Sequence, residues 1–416
     1  MIKRFLVAFS LFLSVVSLAQ EGTSSPYSFY GLGDMRFKGT VENRSMGGLS
    51  VLADSIHINI QNPAFYPALK FTTFTIGGSY LTTKLKTSSD EGKARRSNLD
   101  YMAVAFPIGD FGAGFGLVPF TSVGYKLQTL ATPENPQGKK YTGTGGINKV
   151  YFGGGYEINK NFSFGLEFGY HFGSIETSST YAIADVQLGT REINESAVSG
   201  AGFTTGISYK GKINTKLDFY SSASFAPAAT MSLSNERSIA TVQFLATGGI
   251  RVIDDEDIPV ADTKVKVPAK FSIGSGIGVA KKWMLGAEVT LNHNSNLGNR
   301  FSDIEEVEFE NAIKYNIGGY FIPQYTSFSD YWKRMTYRAG LRYENTGLII
   351  NDESIKDVGV TLGLGFPLGG TFSNINVGFE FGKRGTTNAG LIQENYMNFT
   401  AALSLNDRWF VKRKYD

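Results

Sequence analysis

From Phe71 onward the chain alternates between apolar and polar residues with a period of two, the repeat of extended strands whose successive side chains point to opposite faces. The sharpest instance is Phe162, Phe164, Leu166, Phe168, Tyr170 and Phe172, set against Ser163, Gly165, Glu167, Gly169, His171 and Gly173. Related runs are Met102/Val104/Phe106/Ile108, Tyr337/Ala339/Leu341/Tyr343 and Met397/Phe399/Ala401/Leu403/Leu405. Fourteen such segments are predicted, over 71–86, 98–108, 111–127, 146–158, 161–176, 198–210, 216–233, 268–281, 283–295, 310–322, 334–345, 357–368, 373–384 and 396–405. A soluble sandwich would also alternate, but its inner face favours aliphatics over a wall of aromatics. A membrane barrel sets one face of each strand in lipid and the other in the lumen.

The connections argue the same way. Short turns are predicted at Gly109-Asp110, Asn159-Lys160, Gly211 to Thr215, Lys282 and Gly369 to Phe372, after strands two, four, six, eight and twelve. The odd-numbered strands are followed by longer polar stretches, including 234–267, and the aromatic-rich 323–333 connection after strand ten is intermediate. Long loops at one end and short turns at the other are the arrangement of an outer-membrane barrel, with the short turns periplasmic. An even strand count then places both termini in the periplasm. The expected fold class is all-β, a 14-stranded antiparallel transmembrane β-barrel with an N-terminal hatch, or plug, inside the lumen.

Composition fits the diluted hydropathy of such a wall: 49 glycines, 13% aromatics and a mean hydropathy of −0.11. No later stretch is long and apolar enough to be a spanning helix. At the start, Lys3 and Arg4 precede an apolar run from Phe5 to Leu18, and Ser17-Leu18-Ala19 offers the small residues of a signal-peptidase site. Residues 1–19 therefore read as a signal peptide cleaved before Gln20, and the run is short of the roughly 20 residues a spanning helix needs. Residues 20–70 are Gly-rich without sustained alternation, too many for a lead-in loop, and read as the hatch. Residues 71–416 form the barrel, ending in the aromatic pair Trp409-Phe410 and the basic tail Lys412-Arg413-Lys414.

Charge and reactive side chains narrow the function. Removing Lys3 and Arg4 takes the net charge of +3 down to about +1, so attraction of nucleic acid is not indicated. Cysteine is absent, which excludes disulfides and thiolate metal sites. Three histidines, His57, His171 and His293, are too few and too scattered for an evident catalytic set. No enzyme, cofactor or metal is expected, and Asp254-Asp255-Glu256-Asp257 reads as a solvated loop tip. Glu167, Lys270, Glu288, Lys314, Arg338, Arg342, Glu344 and Glu380 fall on the faces opposite the apolar residues. Toward lipid an Arg or Lys would cost roughly 2–4 kcal/mol at the midplane, so these charges are assigned to the lumen. Their mixed signs suggest ion pairs that hold the hatch, with Arg36, Arg44 and Asp54 as partners.

Asn43-Arg44-Ser45-Met46-Gly47-Gly48, then Ala53-Asp54-Ser55, then Asn62-Pro63-Ala64, resembles the hatch of FadL/TodX-type outer-membrane transporters of fatty acids and hydrocarbons. The stretches Gly114 to Phe120, Val123-Gly124-Tyr125, Gly145 to Tyr151 and Asn406 to Lys414 resemble the Bacteroidota branch of such proteins. The resemblance implies a hatch centred on Gly47, Gly48, Asp54, Asn62, Pro63 and Ala64. It also implies ligand exit sideways through a kink in strand three. That strand holds Gly112, Gly114 and Gly116, then Pro119 and Phe120. Proline donates no ladder hydrogen bond and glycines favour a bend, so these five residues mark the candidate lateral opening. The other reading is that the glycines let the hatch approach the wall and Pro119 ends the regular strand.

Two functions follow as expectations. The first, implied by the resemblance, is passive uptake of hydrophobic or amphipathic small molecules. The alternative is a non-transporting barrel subunit of an outer-membrane protein assembly or secretion complex, motivated by an inward face more charged than a simple hydrophobic conduit needs. The partners are outer-membrane lipid, a hydrophobic small-molecule ligand in the first case, and outer-membrane or periplasmic proteins in the second.

Overall fold

The computed structural model describes residues 22–129, 131–132, 136–245, 249–296, 307–369 and 372–409. The signal segment 1–19, both chain ends, Phe410 and Lys412-Arg413-Lys414 lie outside the described residues. Fourteen antiparallel strands run in chain order: β1 (Thr72–Lys86), β2 (Glu91–Ile108), β3 (Phe111–Thr129), β4 (Gln137–Glu157), β5 (Phe162–Ile183) and β6 (Leu188–Lys212) come first. They are followed by β7 (Asp218–Ala226 continued by Ala229–Phe244), β8 (Ile250–Ile258, Thr263–Val267 and Lys270–Val279) and β9 (Trp283–Asn292). The wall is completed by β10 (Val307–Phe309 and Ala312–Phe321), β11 (Thr336–Ile350), β12 (Glu353–Pro367), β13 (Asn374–Arg384) and β14 (Gln393–Asp407). β14 pairs back onto β1 from Gln393↔Lys86 to Asp407↔Thr72 and closes the barrel. Closure removes the sheet edges that lipid cannot solvate.

All fourteen predicted segments are strands, but the wall is taller than the pattern indicated. The polar stretch 234–267 is mostly strand: Leu188–Ser199 pairs with Gln243–Ser232, and Asp254–Asp257 pairs with Thr241–Ser238. The acidic run is therefore an exposed part of β8, not a loop tip. The reason is environmental. From Ile250 to Asp257 every position is exposed, so there the apolar half of the alternation disappears while the ladder continues, although Ala240 and Val242 on the neighbouring strand stay buried.

Within the bilayer the two faces of β5 are chemically distinct. Phe162 to Phe172 present side chains 39–56% exposed, which is lipid contact, while Glu167 and His171 are buried. Ten residue steps at about 3.3 Å, tilted about 40°, span roughly 25 Å, the height of an outer-membrane apolar band. Among the described residues no helix is long and apolar enough to cross a membrane.

Residues 22–70 pack inside the barrel as short pieces: 3-10 turns at Pro26–Phe29 and Pro63–Ala68, a two-residue strand Asp34–Met35, and helix α1 (Val41–Arg44). Val41, Ile58, Ile60, Tyr66 and Leu69 are buried against Tyr101, Ala103, Ala105, Val118 and Tyr151 of the wall. Each such side chain contributes about 1.5–3 kcal/mol when fully removed from water, so the hatch is a packed domain element. The inward glycines make the approach possible. A Cβ at Gly165 would strike the Pro63–Ala64 peptide, one at Gly206 the Asn62 amide, and one at Gly318 or Gly340 the Met46 backbone.

Candidate functional site

The junction between hatch and wall is held by a buried ion-pair network. Arg342 of β11 donates to both oxygens of Asp357 (Nη1–Oδ2 2.9 Å, Nη2–Oδ1 3.2 Å) and to Glu380 Oε1 at 2.8 Å. Glu344 Oε2 accepts from the same guanidinium at 3.0 Å, and Tyr396 donates to Asp357 Oδ1 at 2.7 Å. The hatch enters from the other side. Arg44 reaches Asp100 (2.9 Å) and Glu380 (3.3 Å), Lys38 reaches Asp357 (3.5 Å), and Arg36 approaches Asp100 (3.8 Å). Buried charges are tolerated only when paired and hydrogen-bonded, and here hatch cations and wall carboxylates satisfy each other.

The other lumen charges divide. Glu288 accepts the Ser50 backbone N–H of the hatch at 2.9 Å, and Glu167 pairs with Lys149 of the adjacent strand at 2.7 Å. Arg338 donates to Asn376 at 2.9 Å. Among the described residues Lys270 and Lys314 reach no carboxylate within ion-pair distance. Asp54 pairs with His57 of the hatch (2.8 Å) instead of a wall cation. Burial pushes the His57 imidazole down, but Asp54 and Glu42 outweigh it and hold His57 above its ordinary value. Burial likewise raises the Asp54 carboxyl, and His57 overrides this to leave it below its usual range. His57 Nε2 faces Asn376 Nδ2 at 3.3 Å and Glu42 Oε1 at 3.8 Å, so this hatch cluster also meets β13.

Asn62-Pro63-Ala64 docks the hatch onto β5, β6 and β7. The Asn62 side chain caps the following 3-10 turn by accepting from Ala64 N (3.0 Å). Its amide donates to the carbonyls of Ile207 (3.3 Å) and Ala223 (3.2 Å), which belong to paired residues of β6 and β7. Gly47 and Gly48 both have positive φ, +74° and +92°, a region L side chains avoid. Gly47 N donates to Thr361 of β12 at 2.9 Å.

The wall is split between β2 and β3. β2 and β3 pair only from Met102↔Leu117 to Ile108↔Phe111, whereas β3 and β4 pair over almost their whole length. Above Leu117 the strands part, and the ladder with β4 shifts register between Pro119 and Thr121, leaving Phe120 bulged. Phe120 sets its ring edge-on to His171, centroids 4.6 Å apart. The hatch fills the slit. Asp34 and Met35 pair with Ser122 and Thr121 as an added antiparallel strand, Arg36 N donates to Phe120 O at 2.9 Å, and Arg96 of β2 donates to Thr23 O at 3.2 Å. Met35 remains 54% exposed in the gap.

Of the five residues singled out on strand three, Gly112 and Gly114 lie under Tyr66 of the hatch, and Gly116 lies beside Tyr151 and the Met102 carbonyl. These three serve close approach, and only Pro119 and Phe120 stand at the split. Asp34, Lys38, Asp100, Asp357, Arg384 and Tyr396 were not singled out from the sequence, although Asp34–Arg384 is a 2.7 Å ion pair between hatch and β13. Asp357 keeps step with the polar face of its strand, and that parity was the available signal. Between hatch and wall lies a polar cavity of about 50 Å³ bordered by Asp34, Arg36, Lys38, Arg384, Glu394 and Tyr396. Toward the long-strand end, Phe29 and Leu32 of the hatch pack onto Val123, Tyr125, Ile147 and Ile175 in a closed apolar cluster.

With this geometry in view, the chain can be set beside known proteins. A sequence model of the family described as BamG matches residues 1–416. No curated protein matches the chain by sequence. Among solved structures, the Pseudomonas putida toluene transporter TodX is similar over 90% of this chain and 98% of its own, at 16% identity and a TM-score of 0.57. A Pseudomonas aeruginosa FadL homologue is similar over 89% and 99%, at 14% identity and a TM-score of 0.56. The CymD monoaromatic hydrocarbon channel is similar over 92% and 99%, at 12% identity and a TM-score of 0.53. At these identities the likeness is one of fold: a FadL/TodX-type barrel of fourteen strands.

Proposed function

We propose, for a chain that belongs to the BamG family, that this protein is a non-transporting barrel subunit of an outer-membrane protein assembly or secretion complex. The observation that carries this reading is the set of ion pairs that bonds the hatch into the lumen. The hatch is tied to β12 and β13 through Lys38, Arg44 and Asp34, and the space left beside those ties is polar and about 50 Å³. An apolar cavity that accepts benzene is about 150 Å³, so this one suits water better than a hydrocarbon. In this reading the short turns and the end of β14 face the periplasm and the tall β4–β8 wall faces outward. This reading includes no enzymatic role, which is supported by the pairing of His57 with Asp54 and the packing of His171 on Phe120.

The test is purification of the native protein from its own membranes in mild detergent, followed by native mass spectrometry. The expected result is a complex of fixed stoichiometry. Repeated recovery of the barrel alone would overturn the reading.

A second reading, passive uptake of hydrophobic or amphipathic molecules, is favoured by the β2–β3 slit, a break in the wall at which the exposed Met35 sits. It requires the hatch to move, and loss of uptake in a deletion strain would support it over the first.

A further inference from the structure

The connection from β10 to β11 differs from the other turns at its end of the barrel. Residues 322–335 lie between these strands, whereas 109–110, 158–161, 213–217 and 280–282 suffice after β2, β4, β6 and β8. The connection is nevertheless a built structure. Ile322 N donates to Lys282 O at 2.7 Å and Gln324 N to Lys333 O at 2.8 Å. Asp330 N donates to Ser327 Oγ at 3.2 Å, and helix α2 spans Tyr331–Arg334. Inside that frame Phe328 is fully exposed and Trp332 is 67% exposed. Large apolar side chains held together in the open mark an interaction surface.

Position decides what covers it. Phe111, Phe162, Phe321 and Phe372 are all exposed and form the aromatic girdle at this end of the apolar band. Tyr337 is the direct cross-strand partner of Phe321. It shares the outward face with the exposed Leu341 and Tyr343, while Arg338 and Arg342 point inward. The Tyr337 hydroxyl donates to the Trp332 carbonyl at 3.1 Å, and the Tyr331 hydroxyl donates to the Pro367 carbonyl at the end of β12, also at 3.1 Å. Helix α2 therefore lies outside the rim at the level of the girdle, not over the lumen. Leu364 and Phe366 are outward by the same parity as the exposed Val358, Val360 and Leu362, yet they are only half-exposed. That fits a segment folded back against this corner of the wall.

The segment also carries Lys281, Lys282, Lys333 and Arg334 against the single carboxylate of Asp330. Several of these cations have partners within it: Lys333 pairs with Asp330 at 2.5 Å, Lys281 lies over the Tyr325 ring and Arg334 over the Tyr331 ring. Their positive balance remains. Lysines occur on other turns at this end, Lys160, Lys212 and Lys216 among them, so charge alone does not single out this connection. The combination does. Aromatic rings at girdle level with basic neighbours are the composition of a segment lying in the plane of a membrane interface, and lipid phosphate complements its charge.

We propose that the β10–β11 connection is an in-plane anchor for glycerophospholipid at the short-turn end of the barrel. Phe328 and Trp332 sit at the acyl boundary, and Lys281, Lys282, Lys333 and Arg334 lie among the phosphates. The anchor fixes the depth of the wall beside β11 and β12, the strands that carry Arg342 and Asp357. It rests on the fold and the girdle, so failure of either functional reading leaves it standing.

The chain has no cysteine, so a nitroxide can be attached at one chosen site. The full mature barrel carrying Phe328→Cys or Trp332→Cys is reconstituted in nanodiscs of phosphatidylethanolamine and phosphatidylglycerol. Collisions of the label with oxygen and with a water-soluble nickel complex then report its depth. Leu341→Cys on the lipid face and Lys216→Cys on a short turn give the two reference levels. The oxygen-to-nickel ratio at both test sites should be at least threefold above that at Lys216. A smaller ratio at either site would overturn the proposal and leave the aromatics to a soluble protein partner. The phosphate contacts are tested by native mass spectrometry with phosphatidylglycerol and phosphatidylcholine. Lys282→Gln with Lys333→Gln should lower bound phosphatidylglycerol threefold or more and leave phosphatidylcholine unchanged. No loss, or equal loss of both lipids, would overturn the assignment of the cations. Heat-modifiable migration on gels confirms that each variant is folded.

Discussion

Arg342 and Asp357 meet in a two-pronged hydrogen bond on the inner wall, with distances of 2.9 and 3.2 Å and side chains only 4% and 3% exposed. The same guanidinium also reaches Glu380, which in turn holds Arg44 of the hatch. Removing one member of a buried pair leaves its partner as an uncompensated charge and costs about 3–5 kcal/mol. Arg342→Met should therefore lower the temperature at which the barrel loses its heat-modifiable gel shift. It should also expose the hatch to protease. Arg342→Met combined with Asp357→Leu should recover much of the loss, because the stranded carboxylate goes too while Glu380 keeps Arg44. A double variant no more stable than Arg342→Met would show that the pair does more than satisfy itself.

The glycine belt makes a second prediction. A Cβ at Gly340 would collide with the backbone of Met46 and Gly47, which no side-chain rotation can relieve. Gly340→Val should displace the hatch at a cost of about 1–3 kcal/mol, the usual range for overpacking. In planar bilayers the variant should show ion conductance that the parent lacks. Gly369→Ala, which meets nothing within 4 Å, is the matched control and should behave as the parent.

Legibility of the chain tracks how local each determinant is. β5 is readable because Phe162 to Phe172 report lipid at every second residue. The same strand beyond Glu176 is unreadable because Thr177, Ser178, Ser179 and Thr180 are polar on both faces and erase the period, although Thr177 to Ala182 still pairs with β6. Asn62-Pro63-Ala64 carries its own cap and so announces a structured hatch. Arg342 and Glu380 could be assigned inward from strand parity alone, but their joint partner Asp357 depends on the register of three strands, which parity does not set. The slit was least legible. It consists of missing pairs between β2 and β3, and each strand taken singly looks regular.

The hatch cluster around His57 predicts a pH dependence. His57 is held above its ordinary value, so its contribution is complete below the unfolded-state imidazole pKa of about 6.5 and is lost as pH rises through the higher folded value. Asp54 is held below its ordinary value, so its contribution is complete above about pH 4 and is lost as pH falls through the lower folded value. Glu42, Arg338 and Tyr320 are the other charged or titratable groups turned toward this pair. Protection factors for hydrogen exchange over residues 54–61, corrected for the intrinsic pH dependence of amide exchange, should thus be highest in mildly acidic to neutral solution and lower at either extreme. His57→Gln should remove the alkaline limb. An unchanged alkaline limb in that variant would mean that other groups set the hatch's protection.

Locking the slit separates the two functional readings. Met35 and Thr121 are direct cross-strand partners, and such pairs place Cα atoms about 4.5–5.5 Å apart, within disulfide range. The chain has no cysteine of its own, so Met35→Cys with Thr121→Cys gives one defined bridge. A hatch that acts as a fixed seal loses nothing by being tied. The oxidised double variant should therefore complement a deletion strain and copurify with the same partners as the parent. If the slit instead opens for ligand passage, oxidation should abolish uptake and a reductant should restore it, while either single variant transports normally. Reversible loss of uptake in the bridged protein alone would transfer the weight of the structure from a static subunit to a gated channel.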